Sequence, residues 1–141
     1  MSIEENKAIV RRYQAAYDNN NLDDLDAVVA IDMVGHAPTY EGAPTGLEGA
    51  KFGHRQNLAI FPEFRQTIDL LIAEGDKVVM RFTASGTFTG EPLMGVSPTG
   101  RRFEITGISI YRIAGGKIVE HWAIEDQIGI MQQIGLMPAP G

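Results

Sequence analysis

The sequence predicts an α+β fold, because its two halves run on different periods. Up to about residue 61 apolar residues recur every three or four positions, and from about residue 64 they alternate. Tight turn signals separate the alternating runs, which marks an antiparallel meander and not an alternating strand–helix series. The 141 residues fit a single domain, residues 1–141. A chain of this size buries about two-thirds of its unfolded surface, enough for a core without staples.

The elements follow in order. Residues 3–18 read as a helix with Ile9, Tyr13, Ala16 and Tyr17 on one face and Glu4 and Glu5 in the first turn, where the helix dipole favours anions. The run Asn19-Asn20-Asn21 ends it. A second, shorter helix is expected over 22–30, with Leu22, Leu25, Val28 and Val29 inward. A short strand then runs from Ile31 into a loop broken by Pro38, Gly42, Pro44 and Gly46. A third helix is expected from Leu47 to Phe61, with Leu47, Ala50, His54, Leu58 and Phe61 on one stripe and Pro62 as its stop. Four strands follow, near 64–74, 77–89, 101–113 and 117–126, then a short tail helix and a fraying Met-Pro-Ala-Pro-Gly end. Gly115-Gly116 suits the positive φ angles of a tight hairpin. The loop at 90–101 is long for a hairpin and reads as a lid or ligand-facing cap. Three helices across the concave side of a strongly curved sheet would leave a cone open at one end, a natural place for one small ligand.

Composition removes several functions. There is no cysteine, so disulfides, thiolate zinc sites and thiol nucleophiles are out. With 18 acidic against 12 basic residues, the net charge of −6 argues against nucleic acid as a partner. No apolar run approaches a membrane span, and the charged start has no signal-peptide core; a cytoplasmic protein with no membrane partner is expected. The three histidines fall in different elements, so no metal set emerges, and no cofactor motif is present.

Near the end of the chain, Glu-His-Trp-Ala-Ile-Glu-Asp (120–126) gathers the only tryptophan, a histidine and three acids. Uninterrupted strand alternation puts Ile118, Glu120, Trp122, Ile124 and Asp126 on the inner face, and His121 and Glu125 on the outer one. In an apolar pocket the carboxyl of Asp126 would titrate high and could move a proton beside a carbonyl. The same residue directly precedes the tail helix and reads equally as its N-cap. Trp122 is a pocket wall or a core aromatic. His54, on an apolar helix stripe, is a proton relay or a hydrogen-bonded structural residue. His36, after the first strand, is a further candidate for the cone wall. Tyr13 and Tyr17 lie one helical turn apart and could polarise a carbonyl or simply pack. Phe82, Met94 and Ile108 read as apolar lining.

The ordered set Val-Arg-Arg-Tyr (10–13), Phe-Pro-Glu-Phe (61–64), Glu-Gly-Asp-Lys (74–77), Gly-Lys-Ile-Val-Glu-His-Trp (116–122) and Gln-Gln-Ile-Gly (132–135) resembles the SnoaL-like polyketide cyclases of the nuclear-transport-factor-2-like superfamily. The resemblance covers nearly the whole chain. It implies a cone-shaped α+β fold and a homodimer through the outer sheet faces. It also implies a hydrophobic pocket that uses an Asp and a His without metal or cofactor, and Asp126 matches the acid ending the family's W-x-x-x-D pattern. The expected function is thus an aldol cyclisation or isomerisation of a small apolar carbonyl compound. A hydrolase or dehydratase of the same cone, and a non-catalytic ligand-binding or dimerisation domain, are the alternatives. The chain departs from the family in having no His on the strand at 103–113, Phe88 where relatives carry His, and Ala37 where they carry Asp.

Overall fold

A computed structural model describes residues 2–37 and 39–140; Pro38 and Gly141, both read above from the sequence, lie outside the described residues. Helix α1 spans Ile3–Asp18. Ser2 and Glu5 form a reciprocal capping box at its start, and Asn20 takes the left-handed backbone that ends it, at φ +51°. The second helix is shorter and tighter than expected. Leu22–Ala27 is a 3-10 helix, and Val29 already belongs to strand β1 (Val29–Gly35). The β-branched pair Val28-Val29 favours extended backbone over a further helical turn. Helix α2 (Gly46–Ile60) is followed by β2 (Arg65–Glu74), β3 (Lys77–Thr87), β4 (Arg102–Ala114), β5 (Lys117–Glu125) and helix α3 (Gln127–Ile134).

The sheet order is β1-β5-β4-β3-β2. Strands β2 to β5 form the expected antiparallel meander, and β1 joins β5 in parallel, a pairing that the sequence pattern does not announce. Two extra residues bend the meander. Ile68 pairs with Phe82 but Leu70 with Arg81, which leaves Asp69 unpaired in β2. Ile113 pairs with Ile118 but Arg112 with Glu120, which leaves Val119 unpaired in β5. A bulge increases local twist and turns the following side chains to the other face. The concave face carries Val78, Met80, Phe82 and Ala84 of β3, and Phe103, Ile105, Tyr111 and Ile113 of β4, all buried. Helix α1 is pinned across it by Gln14, which accepts from the Gln66 side-chain amide at 3.1 Å and donates to the Gln66 backbone carbonyl at 3.0 Å. Where β5 leaves the sheet, the amide of Gln133 replaces it. Gln133 accepts from the Glu104 N–H at 2.8 Å and donates to the Glu104 carbonyl at 3.2 Å, satisfying the exposed edge of β4. Among the described residues no helix is long and apolar enough to cross a membrane.

The 88–101 connection is anchored at both ends. The N–H groups of Gly90 and Glu91 donate to the carbonyls of Ile60 and Ala59, capping the end of α2, while Phe88 and Arg101 hydrogen-bond across the loop base. The tip, Leu93 to Val96, turns through positive φ at Met94 and Gly95. A Cβ on Gly90 would lie 1.9 Å from the Ala59 carbonyl oxygen, so no side chain fits there. Gly90→Ala should therefore lower stability by about 2 kcal/mol or more, through clash with backbone and loss of the α2 cap. Thermal denaturation checks this, with unchanged melting as the contrary result.

Candidate active site

Helices α1, α2 and α3 and the concave face enclose a cavity of about 1600 Å³, open at one end. This is more than a drug-sized ligand needs, so the volume includes the mouth. Its apolar side is built by Phe61, Phe64, Phe82 and Phe103, with Phe61 and Phe103 edge to face at 5.0 Å. Its polar side is built by tyrosines and histidines.

The bulge at Val119 decides which residues of β5 enter. Past it the parity reverses, so His121, Ala123 and Glu125 face the cavity and Glu120, Trp122 and Ile124 face the convex side. Four expectations are corrected by this face assignment. Asp126 is exposed and lies off the cavity wall, where it caps α3 by accepting from the Gly129 N–H at 2.8 Å. A Cβ on Gly129 would press on that carboxyl, so the glycine and the cap go together. Trp122 stacks on His36 on the convex side, with ring centroids 5.2 Å apart. His36 meets Glu120 there at 2.7 Å, and Glu120 also accepts from Arg112 at 2.9 Å; the two hold the Glu120 carboxyl below the usual range. Ile108 pairs with Arg81 and Ile124 on the same convex face and is half exposed.

The remaining expected residues line the cavity. Tyr13 and Tyr17 share a hydrogen bond between their hydroxyls, and Tyr17 also reaches the Ala50 carbonyl at 3.3 Å. His54 is buried and stacks on Tyr17 at 4.5 Å, and no partner meets its Nε2. Desolvation lowers its pKa, so it is neutral at pH 7. Phe82 is buried on the floor, and Met94 stands at the mouth, 72% exposed.

Several cavity residues are not apparent from the sequence pattern. His121 stacks on Tyr111 at 4.5 Å and meets the Ser109 hydroxyl at 3.2 Å. Burial takes its pKa down to about 4. Tyr40 donates to Asn57 at 2.6 Å, and burial followed by the nearby Glu125 charge pushes its pKa up to about 12. Burial also raises the Glu125 carboxyl. The signal that could have found them lies in β4, where Gly107, Ser109 and Tyr111 alternate with Ile108 and Ile110. Small and polar residues there face the cavity, and the isoleucines face out. Among the described residues no three His, Asp or Glu side chains come together as a metal site.

The buried neutral His121 has a consequence for acid stability. A histidine whose folded pKa is depressed stabilises the fold above its ordinary value of 6.5, and that contribution is lost as pH falls toward 4. The gap corresponds to about 3 kcal/mol. His121→Gln should therefore lose less melting temperature than the wild type between neutral pH and pH 4; an equal or larger loss would assign the acid sensitivity elsewhere.

Comparison with known proteins agrees with this architecture. Among curated proteins nothing matches the chain. Solved structures do. TsrD from Streptomyces laurentii superposes with a TM-score of 0.84 at 28% identity, over 97% of this chain and 99% of that one. IdmH from Streptomyces antibioticus, described as a candidate polyketide cyclase, gives 0.80 at 32% identity over 92% and 98%. AclR from Streptomyces galilaeus, described as a candidate hydroxylase, gives 0.82 at 26% identity over 99% and 87%. The family model of SnoaL-like polyketide cyclases matches residues 7–134, nearly the full length, and the chain belongs to that family.

Proposed function

We propose that the protein performs acid/base catalysis without a cofactor, an aldol cyclisation or isomerisation of a small, largely apolar carbonyl compound held in the cavity. The observation that carries this reading is Glu125, a carboxyl turned into the cavity and desolvated by it. A carboxyl raised toward neutrality is a better base for a carbon acid than an ordinary one. Glu125 takes the proton from the carbon next to the carbonyl, and the electron pair of the C–H bond moves into the enolate. In an aldol closure the enolate carbon then attacks a second carbonyl of the same molecule, and the resulting alkoxide takes the proton back from Glu125. In an isomerisation the proton returns to a different carbon.

The enolate oxygen needs a donor. Tyr17 donates to Ala50 through a long bond, so in the free protein Tyr13 donates to Tyr17. Reversing this short chain forfeits only the 3.3 Å bond and releases the Tyr13 proton to the ligand. His121 and His54, both neutral, serve as hydrogen-bonding groups and not as cationic acids.

The test is solvent deuterium exchange at the carbon beside the carbonyl of α-tetralone, an apolar bicyclic ketone, followed by NMR. Wild type should exchange above buffer, and Glu125→Gln should lose about 100-fold or more. A carboxyl whose folded pKa is raised stabilises the fold only below its ordinary value of 4.5, and stability is lost as pH rises through the folded pKa. Glu125→Gln should therefore melt no lower than wild type at neutral pH, which separates lost chemistry from lost folding. Equal exchange in the two proteins, or none in either, would remove Glu125 from this role.

We also propose that a second copy of the chain covers the convex face. That face exposes Leu70, Ile72, Ile108 and Ile124, the last 80% exposed, around the stacked Trp122. Apolar residues at such exposure mark a contact surface, and a two-fold contact places the same patch on both partners. Light scattering should give twice the 15.4 kDa chain mass, and Ile124→Arg should halve it. A wild-type mass of one chain would rule the dimer out.

A further inference from the structure

Helix α2 contains three glycines, although glycine is a poor helix former. Two have a packing reason. A Cβ on Gly46 would lie 2.2 Å from the Ile31 carbonyl oxygen, and one on Gly49 would lie 2.4 Å from that of Pro44. Gly53 has none. Its φ is ordinary, a Cβ there would meet nothing within 4 Å, and the open space is the cavity. The next residue, His54, is 7% exposed and lines the same cavity, with its Nε2 buried and unpartnered. Buried polar groups are almost always paired in a folded protein. One wall of the cavity thus carries both a bare stretch of backbone that the fold does not require and a hydrogen-bonding atom that the fold does not satisfy.

We infer that the α2 wall at Gly53 and His54 is a ligand subsite. A flat apolar group lies against the backbone at Gly53, where a methyl would hold it off, and a hydroxyl or carbonyl of the same molecule meets Nε2 of His54. The imidazole, fixed by its stack on Tyr17, accepts from a hydroxyl or donates to a carbonyl according to its tautomer. The inference rests on the cavity being a ligand site, not on proton transfer by Glu125.

Binding of naphthalene and of naphthol tests it, without turnover. The two probes share a flat ring system and differ by one hydroxyl. Wild type should bind naphthol about 5- to 10-fold more tightly than naphthalene. His54→Phe, which keeps an aromatic ring on Tyr17, should bind the two equally. Gly53→Ala should melt a few degrees higher, as helix propensity dictates, yet bind both probes at least about 5-fold more weakly. Probe binding unchanged in Gly53→Ala, a naphthol preference retained in His54→Phe, or no binding of either probe by wild type would each overturn the subsite. Failure of the proton-transfer reading appears separately, in ketone exchange by Glu125→Gln.

Discussion

One unpaired residue, Val119, determines what the cavity of this protein contains. Up to Ile118 the side chains of β5 alternate in step with β4, and Ile118 closes the core opposite Ile113. Beyond the bulge the phase reverses. Without the extra residue the cavity would receive Glu120, Trp122 and Ile124, two bulky apolar groups and a carboxylate already drawn to Arg112. With it, the cavity receives His121, the small Ala123 and Glu125, while the tryptophan and isoleucine go to the convex side. Ala123 leaves room between a histidine and a carboxyl that stand on the same face, about 13 Å apart along the strand. A second bulge lies on the far side of the sheet at Asp69, which is held there by Thr83 at 2.7 Å and Arg81 at 3.2 Å. Curvature and site chemistry therefore have one origin, the unequal residue count between paired strands.

The sheet is consequently apolar on the side away from the cavity, over the middle of β4 and the facing part of β5. In β4 the sequence Phe103, Ile105, Gly107, Ser109, Tyr111, Ile113 faces in, and Ile108 and Ile110 face out. At its ends the strand obeys the usual rule, with large apolar residues filling the core. In its middle the rule is inverted, because a cavity must be lined by groups that leave space and can bond a ligand. Gly107 shows the close fit at the boundary: the Phe82 ring occupies the place of its absent side chain, 2.4 Å from where a Cβ would stand.

These two features separate what the sequence reveals from what it hides. Helix α1 was legible to the residue, since a long amphipathic run with an acidic first turn and an asparagine stop has few other readings. The stripe of α2 and the four-strand meander were equally legible from period and turns, as were the cavity positions of Tyr13, Tyr17, His54 and Phe82. The 3-10 helix was not, because a six-residue segment carries too little periodicity to separate it from a helical turn and a strand start. The inward readings of Trp122, Ile108, His36 and Asp126 fail for physical reasons, whereas the alternative reading of Asp126 as a helix N-cap holds. Strand parity is a rule about paired residues, and a bulge breaks it without leaving a Gly or Pro signature. Burial of apolar residues is a rule about cores, and a polar-lined cavity reverses it. The parallel β1–β5 pair joins segments more than eighty residues apart, and local pattern contains no record of it.

The same desolvation on which the proposed proton transfer rests makes the fold sensitive to pH in both directions. His121 is buried neutral and costs stability when acid forces it to charge. Glu125 is half-buried and costs stability when rising pH ionises it. The first cost begins as pH falls below 6.5 and the second as pH rises above 4.5, so the two overlap and no pH relieves both. The proton transfer proposed for Glu125 needs its charged form, on the alkaline side of its raised pKa. There the free energy that desolvation withholds from folding appears as basicity. A better-solvated carboxylate would give a more stable protein and a weaker base. Asp126, one residue further along the chain, is exposed and bonded to a helix N-terminus, so the end of β5 separates a cavity carboxyl from a capping one.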